Sequence, residues 1–174
     1  NELSKYIIGQ KDAILQVSQA LRRLRAGLNS KEKPISFLFL GPTGVGKTLV
    51  AKTLSNIYFG ENKMIRSDMS EYSTEKGVTR LLGGRIGAKG LTDEVHEHPF
   101  SLVLLDEFEK ANPKVIDLFL QVLDSGRLTN NIGKTVSFTD TIIIATSNAA
   151  SEYVREDVAK GTVIDSNFQK NLLE

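Results

Sequence analysis

The sequence predicts an α/β domain whose mostly parallel central sheet is flanked by helices. Two observations carry that reading. First, the runs "ISFLFL", "SLVLLD" and "TIIIATS" are apolar without alternation, the pattern of strands covered on both faces. Second, segments with apolar residues every three to four positions separate those runs, so strand and helix alternate along the chain. The length of 174 residues suits one domain with a sizeable core rather than two.

Residues 11–28 carry Ile14, Val17, Leu21, Leu24 and Leu28, a helical spacing that turns Arg22, Arg23 and Arg25 to solvent. Lys31-Glu32-Lys33 reads as a polar linker, and residues 35–40 as a buried strand. A Gly-rich turn follows, then a helix starting near Gly46. Residues 63–68 suggest a second strand, and residues 75–82 and 91–97 two short helices. Pro99 ends the later one. "SLVLLDE" is the central strand, residues 113–123 are helical, and "TIIIATSN" is another apolar strand. Residues 151–174 are charged and read equally as helix or as disorder.

Composition excludes several classes. Lys and Arg number 22 against 21 for Asp and Glu, so no overall basic field attracts nucleic acid or an anionic membrane. No apolar run is long enough to span a bilayer. There is no Cys, hence no disulfide framework and no thiolate metal site, and a reducing cytoplasm is the expected location. The opening "NELSKYIIGQ" has neither the basic start nor the apolar stretch of a signal peptide, and reads as the interior of a longer chain.

The chemistry sits in three places. "GPTGVGKT" fits G-x-x-x-x-G-K-T between a strand and a helix, the context a phosphate-binding loop requires. The loop of Gly41, Pro42, Thr43, Gly44, Val45 and Gly46 would wrap around phosphates at the helix N-terminus and point its N–H groups at them, Pro42 having none, with Lys47, Thr48 and Leu49 opening that helix. Lys47 would reach the β- and γ-phosphates of ATP, and the Thr48 hydroxyl would hold Mg²⁺. Asp106-Glu107 ends the central strand beside that loop, Asp106 to hold Mg²⁺ directly or through water and Glu107 as the base that polarises a water. Asn148, at the tip of the last strand, is placed to contact the γ-phosphate or the water. His96 and His98 have no further ligand cluster and read as a solvated helix end.

These motifs stand in the order found in the Clp family, and the chain resembles the large subdomain of that family's second ATPase module within the AAA+ superfamily of P-loop NTPases. The resemblance rests on "YIIGQ", "RRLRAGL", "FLFLGPTGVGKT", "MIRSDMSEY", "VTRLLG", "LTDEV", "LLDEFEKANP", "FLQVLDSGRLT" and "TIIIATSN", covering nearly all of residues 5–150. It implies a homo-hexameric ring that hydrolyses ATP and threads polypeptide substrates through its pore. It also assigns Ile7 and Ile8 to the adenine cradle and repeats the roles already given to Lys47, Thr48, Asp106, Glu107 and Asn148.

Three departures from the family pattern qualify the expectation. Between "VTRLLG" and "LTDEV" the chain has "GRIGAKG", residues 84–90, about six residues shorter than expected and without the aromatic that grips a translocating chain. The chain stops before the segment that supplies the arginine finger and before the small helical subdomain, so these residues alone should bind nucleotide and hydrolyse it weakly. Residues 151–174 lack the tripeptide of peptidase-coupled relatives, which disfavours a peptidase partner. The alternative reading is a nucleotide-dependent assembly or regulatory module without threading. A small-molecule kinase would need an acceptor pocket and lid, of which the sequence has no sign.

Overall fold

A computed structural model of the protein describes residues 11–25, 32–84 and 89–148, with the side chains of 11–14, 24 and 25 left out. In chain order the elements are α1 (Lys11–Arg25), β1 (Ile35–Leu40), α2 (Lys47–Tyr58), β2 (Met64–Asp68), α3 (Glu75–Leu82), α4 (Leu91–Glu97), β3 (Leu102–Asp106), α5 (Pro113–Ser125), β4 (Arg127–Thr129), β5 (Thr135–Ser137) and β6 (Ile142–Ser147). Four strands make one sheet in the order β1-β6-β3-β2, with every pairing parallel. The expected α/β architecture is present.

The sheet sorts side chains with a period of two, and each face builds its own core. Leu102 and Leu104 of β3 join Ile142 and Ile144 of β6, where Val17 of α1 and Ala51 and Leu54 of α2 cover them. Val103, Leu105 and Ile143 point to the opposite face, under Leu81 of α3, Val95 of α4 and Val115, Phe119 and Val122 of α5. Fully burying side chains of this size stabilises a fold by roughly 1.5–3 kcal/mol each. The central strands therefore anchor the polar residues at their tips.

The reading of β1 as a buried strand needs correction. Ser36, Leu38 and Leu40 are exposed while Ile35, Phe37 and Phe39 are partly covered. Among the described residues β1 pairs only with β6, at the sheet edge. The helices of the second face cover β2, β3 and β6 and leave the outer side of β1 bare. Arg22 and Arg23 are exposed, as their helical phase requires.

A short antiparallel hairpin, β4–β5, was not anticipated. It packs Leu128, Val136 and Phe138 into the second core, and its turn braces the segment between α3 and α4. Asn131 Nδ2 donates to the carbonyl oxygens of Thr79 and Gly83, both at 2.7 Å. Asp93 Oδ2 accepts the N–H groups of Gly84 and Gly90, each at 2.9 Å. The Thr92 hydroxyl donates to Leu82 O. The two ends of the "GRIGAKG" stretch are thus drawn into a closed neck. Residues 85–88 of that stretch and the tail 151–174 lie outside the described residues.

Candidate nucleotide site

The polar residues gather where the parallel strands end. β1 runs into Gly41, whose N–H donates to Ser147 O at 3.2 Å and ties the loop to the tip of β6. Gly44 and Gly46 then take positive φ, 86° and 94°, a backbone that L side chains adopt only with strain. The turn they make delivers the chain into α2.

α2 begins unlike its neighbours. α3 and α5 have side-chain caps, Thr74 and Asn112, which accept N–H groups from Gly77 and Lys114. Gly90 of α4 has no side chain, but Asp93 accepts its N–H. At α2 the cap is Gly46, no side chain caps the first turn, and no acid lies in it. The first N–H groups of a helix need an acceptor. A phosphate fits this end, since it would supply the acceptor oxygens and the negative charge favoured there.

Lys47 is folded back over the loop. Its Nζ donates to Gly41 O at 2.5 Å, to Pro42 O at 3.0 Å and to Asn148 Oδ1 at 2.8 Å. Burial lowers its pKa, opposed by the carboxylates of Glu109, Asp106 and Glu107. Three oxygen acceptors match the three protons of an ammonium group. A phosphate would compete for that same cation.

Asp106 and Glu107 leave β3 on the same edge. Asp106 Oδ1 accepts the Thr146 hydroxyl at 2.5 Å, and Asp106 Oδ2 pairs with Arg66 at 2.7 Å. Glu107 has a left-handed backbone, φ 55° and ψ 48°, uncommon for a residue other than Gly. Its Oε2 pairs with Lys110 Nζ at 2.6 Å. The Asn148 N–H donates to Glu109 Oε1 at 3.1 Å. Among the described residues no group of three or more His, Cys, Asp or Glu forms a metal cage. Mg²⁺ suits such a site because it takes one or two protein oxygens and completes its shell with phosphate and water. The residues that could offer them are Asp106, at this edge, and Thr48, in the first turn of α2.

The structure therefore brings Lys47, Asp106, Glu107 and Asn148 to one edge of the sheet, beside the loop of Gly41, Pro42, Thr43, Gly44, Val45 and Gly46. Thr48 and Leu49 lie in the first turn of α2. Ile7 and Ile8 fall outside the described residues. Arg66, Lys110 and Thr146 were not foreseen. A Lys three residues after Glu107 was a readable signal for the first ion pair, whereas nothing local marks Thr146. His96 is exposed and its Nε2 lies 2.7 Å from Lys134 Nζ, in keeping with a solvated helix end.

A profile of the family described as AAA domain (Cdc48 subfamily) matches residues 32–173. The chain belongs to the AAA family. Within it, the chain is a Clp-type ATPase domain that binds nucleotide. It is 51% identical to the chaperone protein ClpB of Aquifex aeolicus over 162 residues, 88% of this chain and 16% of the relative. Identity to ClpB of Clostridium perfringens is 48% over 180 residues, 99% of this chain and 21% of the relative. To ClpB of Vibrio cholerae it is 50% over 166 residues, 91% of this chain and 19% of the relative. The AAA chain spans about a fifth of the length of these curated relatives. The match to the Clostridium protein runs over at least six residues more than the 174 of this chain. No helix of the described residues is long and apolar enough to cross a membrane.

Proposed function

We propose that residues 1–174 are the large α/β subdomain of one ATPase module in a longer, Clp-type remodelling chaperone. In this reading the module binds ATP with Mg²⁺ and hydrolyses it. A homo-hexameric ring of such modules uses the energy to thread polypeptide substrates through its pore. The small helical subdomain belongs to the rest of the protein, and a cytoplasmic location goes with the reading.

The observation that supports it most is the convergence of Lys47, the Asp106-Glu107 pair and Asn148 at a helix N-terminus with neither a side-chain cap nor an acid. Lys47 binds the β- and γ-phosphates, and the N–H groups of residues 43–48 bind their oxygens. Thr48 and Asp106 hold Mg²⁺, which when bound neutralises phosphate charge. Glu107 polarises the attacking water and Asn148 orients the water or the γ-phosphate. Because Glu107 is paired with Lys110, its carboxylate must give up that contact to act as a base.

The test uses the full-length protein. Sedimentation with ATP should give a particle of six subunits. A fluorescent protein with an unstructured tail should lose its fluorescence only while ATP is hydrolysed. Fluorescence that persists while ATP is consumed would contradict threading and favour a module in which nucleotide governs assembly alone.

A further inference from the structure

Thr146 is 1% exposed and lies on β6, two residues before Asn148. A buried Thr in a strand is ordinarily a β-branched filler whose hydroxyl finds any acceptor. Here the hydroxyl has two specific partners. It donates to Asp106 Oδ1 at 2.5 Å and accepts the Glu107 N–H at 3.2 Å. The paired register of β3 with β6 ends at Leu105 and Ala145. The Thr146 hydroxyl is thus the next tie between the two strands, made by a side chain where the backbone ladder has stopped. It grips both functional acids at the point where Glu107 enters its left-handed turn.

We infer that Thr146 is a positioning residue for hydrolysis, locking the carboxylate of Asp106 and the backbone of Glu107 to the strand that carries Asn148. The inference rests on the ATPase roles proposed above for Asp106, Glu107 and Asn148. One donor and one acceptor of a single hydroxyl fix the angle of the Asp106 carboxylate and the direction in which the Glu107 side chain leaves the strand. Lys47 is bonded to Asn148 from the other side. The phosphate-binding cation, the two acids and the terminal amide are therefore referenced to one strand. Loss of the hydroxyl leaves the Glu107 N–H without this acceptor and frees the Asp106 carboxylate to follow Arg66. Small misplacements of reacting groups are expensive in rate.

The experiment compares Thr146→Val, which keeps the shape and removes the hydroxyl, with Thr146→Ser, which keeps the hydroxyl, in the full-length protein. Glu107→Gln serves as the reference. The readouts are kcat and KM for ATP, the Mg²⁺ concentration for half-maximal rate, and the Kd of a fluorescent ATP analogue with and without Mg²⁺. Thr146→Val should lower kcat about tenfold or more, a barrier increase of ~1.4 kcal/mol. It should weaken analogue binding only when Mg²⁺ is present, and Thr146→Ser should recover most of both effects. The inference is overturned if Thr146→Val leaves kcat and Mg²⁺ dependence within about twofold of the parent. It is equally overturned if Ser and Val are impaired alike, since the residue then acts by packing. If Glu107→Gln hydrolyses ATP like the parent, the assignment of the base falls instead, while the Mg²⁺-dependent binding of the two Thr146 variants still decides the role of the hydroxyl.

Discussion

A Cβ added to Gly44 or Gly46 would meet no heavy atom within 4 Å, whereas one added to Gly90 would meet the Gly83 nitrogen and the Arg80 carbonyl oxygen at 2.4 Å. The phosphate loop and the neck between α3 and α4 are both rich in glycine, and both collect polar contacts. In the loop, glycine is needed for its positive φ, and the space around it stays open. At the neck, Gly83 and Gly84 also take positive φ, but Gly90 is needed because two backbones touch, and Asp93, Thr92 and Asn131 saturate the surroundings. The open cluster is built to receive a ligand. The closed one is built to hold the ends of a segment together.

Variants can break this contrast or sharpen it. The largest effect is expected at Lys47. Lys47→Ala removes the cation proposed to face the phosphates, and the Kd of the full-length protein for ATP should rise about a hundredfold, as for a lost charge-assisted hydrogen bond. The melting temperature should move by no more than a few degrees, since Lys47 lies outside both cores.

Gly90→Ala should do the reverse. Its clash is with backbone rather than with a yielding side chain, so it should destabilise the domain by roughly 2–3 kcal/mol. Calorimetry would register this as a drop of about 5–10 °C, with ATP affinity measured below the transition within about twofold of the parent. Equal losses of stability and affinity at both sites would erase the distinction between the regions.

Gly44→Ala gives a smaller and mixed result. The left-handed backbone costs about 1–2 kcal/mol, with no steric term, and the constrained loop should bind ATP about tenfold more weakly. The weakest effect belongs to Asp93→Asn, which keeps an acceptor and should cost about 1 kcal/mol at neutral pH. Backbone N–H groups of Gly90 and Gly84 hold the Asp93 carboxyl below its usual pKa. A depressed folded pKa adds stability that is complete above the unfolded value of about 3.9 and is lost as pH falls through the folded one. The difference between parent and Asp93→Asn should therefore shrink on acidification below about pH 4, as read by denaturant melts across that range.

The sequence was most legible where the chemistry is local. The motif of residues 41–48 and the acids closing "SLVLLDE" announce themselves, because phosphate binding constrains consecutive residues. β3 and β6 could be read as central strands because burial on both faces removes alternation. The same cue misled at β1, where Leu38 and Leu40 are apolar yet exposed. An all-apolar run carries no phase to tell an edge from a centre. The β4–β5 hairpin escaped because three-residue strands show too little alternation, although Asn130, Asn131 and Gly133 between them carry turn chemistry. Thr146 and Arg66 escaped for a deeper reason. Their partner Asp106 lies 40 residues away from each, and only the register of β6 and β2 against β3 brings them together.

In the proposed function, the acids at the tip of β3 serve hydrolysis of a nucleotide held by the loop between β1 and α2. The most direct measurement is ATP hydrolysis and ATP binding by the full-length protein and its Glu107→Gln variant, with any second ATPase module silenced in both. Hydrolysis by Glu107→Gln should fall by roughly 10²–10⁴, the range for loss of a positioned general base, with the Kd for ATP within about twofold. Undiminished hydrolysis by Glu107→Gln would contradict the proposed function.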